Sequence, residues 1–295
     1  MKMKLYAIIL SLVTVICVSY GIYKNCFGGH WDYGNEFAED GSGAGNDGNG
    51  KILSGSALSD SGKPGSFEDI KVSASVLDVT VKQGTDFTYE YTCSSEMLRP
   101  TVKIDGSELR IEQKSSENLH NWRNWRNWAI NSHAEITVTV PQGTKIGRID
   151  MDGSVGDIRL ENIEADDIKI NGSVGDCKLD GVRSASTDSE TSTGSFKADN
   201  CELGEFRSSS STGECEVKDS SLESADINTS TGGVDLNLKG SENDYYYDLS
   251  TSVGDIDVDG ADIDSDDEDY NTSKTGDQKR KKEDTSVGGI SISLE

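Results

Sequence analysis

The stretch Ser154-Val155-Gly156-Asp157-Ile158-Arg159-Leu160 decides the fold, because versions of it return through the C-terminal half of the chain. The glycines of the successive copies are Gly156, Gly175, Gly194, Gly213, Gly232, Gly254 and Gly288. Subtracting each residue number from the next gives steps of 19, 19, 19, 19, 22 and 34. A repeated step of this length is typical of stacked structural repeats, in which each unit buries its apolar face only against its neighbours.

Each copy continues after its glycine as a short alternating segment. The second and fourth residues after the glycine are apolar in every copy, as Ile158 and Leu160 are, and the residue between them is polar. This alternation predicts a β-strand with one buried face, and glycine is expected to supply the bend before it. A weaker apolar pair before each copy, such as Ile149 and Met151, predicts a second strand. The sequence therefore predicts an all-β fold, a β-solenoid of about 19-residue coils stacked in chain order.

The first 24 residues are predicted to form a cytoplasmic stub and a single transmembrane helix. Leu5 to Tyr23 is a run of 19 residues without a charge, about the length that a helix needs to cross a bilayer. A cleaved signal peptide is the alternative, but Ser19-Tyr20-Gly21 fits a cleavage site poorly. Lys2 and Lys4 outweigh Lys24, so the N-terminus is expected in the cytoplasm and the C-terminal domain outside the cell.

Residues 25–66 are predicted to be a flexible linker, because Gly, Ser, Asp and Asn dominate them and cannot bury enough apolar surface to fold. From Phe67 the pattern changes to strands separated by turn signals, and residues 67–295 are predicted to form the solenoid domain. The strands predicted ahead of the repeats are Ile70–Val72, Leu77–Val81, Phe87–Cys93, Thr101–Ile104, Leu109–Ile111 and Ile136–Val140.

The cysteines are predicted to be reduced rather than paired. Cys177 and Cys215 fall in the same inward column two coils apart, so strand spacing separates their backbones by roughly 9.6 Å, beyond the reach of a disulfide. Cys201 falls in the column of Ile163 and Val182 and is expected to be a small buried side chain. No cysteine and histidine spacing in the chain is typical of a zinc site.

The most unusual local feature is Asn121-Trp122-Arg123-Asn124-Trp125-Arg126-Asn127-Trp128. Tryptophan beside arginine suits stacking on sugar rings, seating at a membrane interface or contact with a protein partner. The alternative is that the insertion plugs an end or side of the solenoid, with the arginine stems lying over apolar surface. The candidate binding residues are Trp122, Arg123, Trp125, Arg126 and Trp128.

An acidic run after the sixth glycine resembles a calcium-binding loop. The spacing of Asp255, Asp257, Asp259 and Gly260 meets part of that pattern. However, Ile256 and Val258 are predicted to point inward, which would place the neighbouring carboxylates in a row on a solvated face. No cofactor is therefore expected, and calcium remains an alternative. The candidate calcium ligands are Asp259, Asp262, Asp264 and Asp266.

The order of elements resembles a known family. Phe67-Glu68-Asp69-Ile70-Lys71-Val72, then Ile136-Thr137-Val138-Thr139-Val140-Pro141, then the serial glycine strands resemble the adhesin-like family with domain of unknown function 4097. The resemblance covers roughly residues 67 to 295 and implies a bacterial surface β-solenoid, often behind a membrane anchor, with some relatives tied to cell-envelope stress. It implies no catalytic residues. The Trp-rich insertion and the long interval between Gly254 and Gly288 depart from the family pattern.

Composition and motifs favour a binding protein over an enzyme. The net charge of −25 makes nucleic acid an unlikely partner, and the three histidines lie near no nucleophile motif. We expect a membrane-anchored adhesion module in the cell envelope that binds a surface glycan or protein. The alternative is an envelope-stress component that binds a membrane partner or a cationic agent through its acidic surface.

Overall fold

The computed structural model describes residues 58–113, 133–240, 245–253, 255–258, 269–271 and 279–294. All of them lie in one compact unit made of residues 56–117 and 132–295. These ranges are all-β apart from a 3₁₀ turn at Glu96–Leu98, and none of their helical residues forms a segment long and apolar enough to cross a membrane. The predicted anchor, residues 1–24, lies outside the described ranges.

The strands in chain order are β1 (Leu58–Gly62), β2 (Asp69–Val76), β3 (Asp78–Gly84), β4 (Thr88–Cys93), β5 (Thr101–Asp105), β6 (Glu108–Glu112), β7 (Ala134–Pro141), β8 (Lys145–Val155), β9 (Ile158–Glu161), β10 (Glu164–Val174), β11 (Cys177–Asp180), β12 (Arg183–Thr193), β13 (Phe196–Asp199), β14 (Glu202–Thr212), β15 (Cys215–Thr231), β16 (Val234–Leu238), β17 (Tyr245–Thr251), β18 (Ile256–Val258), β19 (Asp269–Asn271), β20 (Lys279–Val287) and β21 (Ile290–Leu294). The strands predicted ahead of the repeats are confirmed within a few residues.

Each central coil contains a long strand followed by a short one. The long strands of successive coils pair in parallel, as β8, β10, β12 and β14 do, with partners 19 residues apart. The short strands β9, β11 and β13 pair in the same way. The strand β15 passes from the short-strand sheet into the long-strand sheet. The predicted coil is therefore confirmed, although its second strand has eleven residues rather than a few.

The order of coils along the stack differs from chain order at both ends, which corrects the predicted order. At the N-terminal end, β2 pairs with both β6 and β8, so the first coil in the chain lies between two later ones. At the C-terminal end, β20 pairs with both β15 and β17, so the last coil is also an inserted one. After Gly232 the chain first forms the outer coil, which contains β17 and β18. It then forms the inner coil, which contains β20 and β21, and the two long intervals in the sequence accompany these two steps.

Antiparallel strands extend the sheets beyond the outer coils. At the N-terminal end, β4 pairs antiparallel with β7 and β1 pairs antiparallel with β4, while β5 covers β6. At the C-terminal end, β19 pairs antiparallel with β17. Strand β1 lies within residues 25–66, so the C-terminal part of the predicted linker includes a β-strand.

The core lies between the two sheets. The rings of Phe196 on a short strand and Phe206 on a long strand have centroids 5.0 Å apart, so the two inward faces meet. The short-strand column includes Val79, Ile158, Cys177, Phe196, Cys215, Val234, Ile290 and Ile256, all of them buried. The predicted burial of Cys177, Cys201 and Cys215 is confirmed, and the thiols of Cys93, Cys177 and Cys201 are free.

Two turns close each coil, and both restrict the residue type. The glycines of the first turn have φ between 142° and 152°, and a Cβ on Gly194 would lie 1.9 Å from the carbonyl oxygen of Gly175. Only glycine fits there, as the sequence predicted. The second turn places Asn162, Gly181 and Asn200 at φ values of 54°, 63° and 55°, in the left-handed region that these residue types tolerate best.

Candidate ligand-binding groove

The binding residues predicted in the Trp-rich insertion lie outside the described ranges. These are Trp122, Arg123, Trp125, Arg126 and Trp128, and the flanking described residues are Gln113 and His133. The candidate calcium ligands Asp259, Asp262, Asp264 and Asp266 also lie outside them, so calcium binding remains a prediction. The described Ile256 and Val258 are buried and Asp255 and Asp257 are exposed, which confirms the predicted solvated face.

The side chain of Gln113 closes the corner from which the insertion departs. In the central coils, the backbone at this corner bonds to the next coil, as the N–H of Gly156 does to the carbonyl of Val174. On the outer side of β2, the Gln113 Oε1 accepts the N–H groups of Ser75 and Val76 instead. Its Nε2 donates to the carbonyls of Val76 and Leu98 at 2.7 Å each. The buried amide of Gln113 therefore makes hydrogen bonds of the kind that the backbone of an adjacent coil makes elsewhere in the stack.

At the same corner of the following coils, a polar groove of about 450 Å³ crosses the ends of the long strands. The alternation of the strands points the residues after the last buried position outward, and equivalent positions stack from coil to coil. One ladder of the groove consists of Asp152, Asn171, Glu190, Ser209 and Asn228. A second ladder consists of Ser173, Ser192, Ser211 and Ser230. The groove thus offers repeated hydroxyl, amide and carboxylate groups.

The groups in this polar groove are available to a ligand. Neither Asp152 nor Glu190 forms an ion pair with another described residue, and none of the lining residues is a lysine, arginine or histidine. Gly153 and Gly172 leave space at one end, since a Cβ on Gly153 would meet no atom within 4 Å. The hydroxyl of Ser210, a further lining residue, is buried without a hydrogen-bond partner among the described atoms.

A second groove, of about 380 Å³, lies at the other end of the long strands. Four of its six charged residues form ion pairs: Lys145 lies 2.5 Å from Asp166, and Arg183 lies 3.2 Å from Glu202. A ligand would have to compete with these ion pairs for both cations and for two of the four carboxylates. The polar groove is therefore the better candidate for a binding site.

A carboxylate ladder runs along the turns beside the short strands. The Oδ1 of Asp78 accepts the N–H of Asp157, and the Oδ1 of Asp157 accepts the N–H of Asp176. Burial raises the pKa of Asp78, although the hydrogen bond from Asp157 opposes the shift. The recurring aspartates thus bind turn backbone. No cluster of three or more His, Cys, Asp or Glu side chains within the described ranges is arranged to hold a metal ion.

Residues 67–293 match the family described as Toastrack DUF4097. The chain belongs to this family. The Toastrack match begins at Phe67 and extends into β21, so it includes every coil of the stack. The predicted family membership is confirmed. No curated protein matches the chain.

Several solved structures resemble this Toastrack chain at low identity. A candidate adhesin from Bacteroides fragilis is 16% identical with a TM-score of 0.44, and the match covers 80% of this chain and 97% of that chain. A candidate cell adhesion protein from Clostridium sporogenes is 14% identical with a TM-score of 0.35, covering 81% and 99%. A candidate lipid binding protein from Parabacteroides distasonis is 14% identical with a TM-score of 0.37, covering 82% and 96%.

Proposed function

We propose that this chain is a non-enzymatic binding protein of the cell surface and that its polar groove holds a linear glycan. The observation that carries the proposal is the pair of ladders in the groove, which present polar groups along the five coils that line it. Successive coils repeat roughly every 4.8 Å, a spacing comparable to the advance per sugar in an extended glycan. A glycan lying along the stack would therefore meet a polar side chain at each step, in the order carboxylate, amide, carboxylate, hydroxyl and amide along the first ladder.

The location at the cell surface rests on the sequence. The uncharged run from Leu5 to Tyr23 would anchor the chain, with the N-terminus in the cytoplasm, and residues after it would hold the solenoid outside. The Trp-rich segment, residues 121–128, would supply additional contacts to sugar rings, because tryptophan presents a flat apolar face with a polar N–H.

Binding of the full-length chain to immobilised cell-wall glycan tests the proposal. Glu190→Gln removes a groove carboxylate, and we expect it to weaken binding several-fold. Glu202→Gln is the matched control, because it makes the same chemical change in the second groove, where Glu202 pairs with Arg183. Equal affinities for the two variants would overturn the groove as the site. A loss confined to Trp125→Ala would assign binding to the insertion.

The second candidate function is binding of a cationic partner as part of an envelope-stress response. The unpaired carboxylates Asp152 and Glu190 and the net charge of −25 support it. This function predicts that cationic peptides bind in a strongly salt-dependent manner, whereas neutral glycans do not compete. Glycan binding that persists at high salt would favour the first function instead.

A further inference from the structure

The C-terminal coil, residues 279–294, occupies a slot between two coils that precede it in the chain. Strand β20 lies between β15 and β17, and β21 lies between β16 and β18. The four strands that border the slot, β15 to β18, therefore all precede the C-terminal coil in the chain. Withdrawal of the coil would leave an unpaired strand edge on each side of the slot, and such edges readily accept another strand.

Specific contacts from the inserted coil fit it to this slot. The Thr285 hydroxyl donates to the carbonyl of Gly232 at 3.0 Å, and the Ser250 hydroxyl donates to Asp284 at 2.7 Å. Lys282 is in register with Asp226 on one side and with Asp248 on the other. A strand pair without these residues would lose contacts on both sides of the slot.

Lys281 makes the C-terminal coil different from the other coils. Its side chain is fully buried, and its amine donates to the carbonyl of Leu222 at 3.1 Å. The equivalent position is occupied by uncharged residues in the central coils, namely Ile149, Ile168, Thr187, Phe206 and Ala225. Burial of an amine costs free energy that burial of an apolar side chain does not. The inserted coil at the N-terminal end has Ile70 at this position instead.

We propose that the C-terminal coil is exchangeable and that the slot accepts residues 279–294 of a second copy of this chain. The slots of two copies are identical, so a coil from the second copy makes every contact that the chain's own coil makes. In the sequence only seven residues, 272–278, connect the coil to β19, and short connections favour exchange of this kind. Lys281 lowers the free energy needed to withdraw the coil. This inference is independent of the proposed glycan site.

Disulfide trapping between full-length chains tests the exchange. Asn228 and Asp284 are in register on neighbouring strands, roughly 4.8 Å apart, which is within the range for a disulfide. One chain carries Asn228→Cys and the other Asp284→Cys, both in a background of Cys17→Ser and Cys26→Ser. After the two are mixed and oxidised, we expect a covalent dimer, because only an exchanged coil brings these cysteines together.

The N-terminal inserted coil is the matched control. Ser73 and Asp152 are in register across β2 and β8, so chains with Ser73→Cys and Asp152→Cys report exchange at that end. We expect at least ten-fold less dimer for this pair. Lys281→Met should reduce the C-terminal dimer several-fold, and the double variant Asn228→Cys/Asp284→Cys, which should close within one chain, verifies that the coil folds.

Two results would overturn the proposal. If the double variant closes its internal disulfide while the mixed chains yield no dimer, the coil does not exchange. If both ends yield equal amounts of dimer, or Lys281→Met leaves the amount unchanged, Lys281 does not control the exchange.

Discussion

The amine of Lys71 lies 3.1 Å from the Oδ2 of Asp150, although 79 positions separate the two residues in the chain. This pair begins a column of alternating charge on the outer face of the long-strand sheet. The column continues through Lys169, Asp188, Arg207, Asp226 and Lys282, and Lys282 is in register with position 248 on the next strand. In chain order, Asp226 and Asp248 would be neighbours, and the inserted coil places Lys282 between them.

Breaking this alternation should destabilise the stack. Asp226→Lys would put three cations in succession, at 207, 226 and 282, and we expect the free energy of unfolding to fall by about 1 kcal/mol at low salt. Asp226→Asn should cost less, because it removes an attraction without adding a repulsion. Urea unfolding at two salt concentrations measures both effects. An Asp226→Lys protein as stable as the parent at low salt would contradict the role of the column.

The glycine column should not tolerate a methyl group. Gly194→Ala would place its Cβ 1.9 Å from the oxygen of Gly175 at a φ of 144°, so we expect a loss of more than about 3 kcal/mol. Gly153→Ala is the control, since its Cβ would meet no atom within 4 Å, and a change within about 0.5 kcal/mol is expected. Thermal unfolding compares the two proteins, and similar losses in both would refute the steric explanation.

Asp78 should make stability depend on pH. Because burial raises its pKa above the ordinary value of 3.8, the folded chain binds this proton more tightly than the unfolded chain. Its contribution to stability therefore falls as pH rises from 3.8 through the higher folded pKa, and the cost is complete above that pKa.

Asp78→Asn keeps an acceptor for the Asp157 N–H without the charge. We expect this variant to be more stable than the parent at pH 7 and to lose the advantage in acid, below the ordinary carboxyl pKa. Urea unfolding across this pH range provides the measurement. An asparagine variant that is less stable at pH 7 would show that the charge itself is required.

The buried thiols should resist alkylation. Burial raises the pKa of Cys201 to about 11, so about one thiol in a thousand is ionised at pH 8. We expect iodoacetamide to leave Cys201 and Cys177 unlabelled in the folded chain and to label both in urea. The exposed Ser73→Cys provides a positive control, and mass spectrometry identifies the labelled sites. Rapid labelling of Cys201 without urea would mean that the coil opens.

The sequence predicts the coil well, because the 19-residue step and the alternation of apolar and polar residues can both be read from short segments of the chain. It does not predict coil order at the ends, since Ile290 and Ile292 have the same pattern as Ile256 and Val258, and identical patterns do not distinguish neighbours. The charges at 226, 248 and 282 contained a signal for that order. Asn162, Gly181 and Asn200 likewise mark the left-handed turn at intervals of 19 residues.

The candidate site was less predictable than the coil. Alternation places Asn171 and Glu190 on the outer face, but it does not show that neighbouring glycines and serines leave a groove there. The predicted binding residues include Trp125 because tryptophan is a rare residue type and can be recognised in a single sequence. The role of Gln113 depends on a missing coil corner, which becomes apparent only when the pairing of β2 and β6 is known.

The contact between successive turn glycines limits how the number of coils in the stack can change. The carbonyl oxygen of one turn glycine lies against the Cα of the next, where a Cβ would not fit, and the same contact recurs from Gly156 to Gly232. Duplication or loss of one whole 19-residue unit preserves that fit, whereas a shift of a single residue misplaces every later glycine. The repeat region can therefore gain or lose only whole coils, while the inserted coils at the two ends of the stack are unchanged.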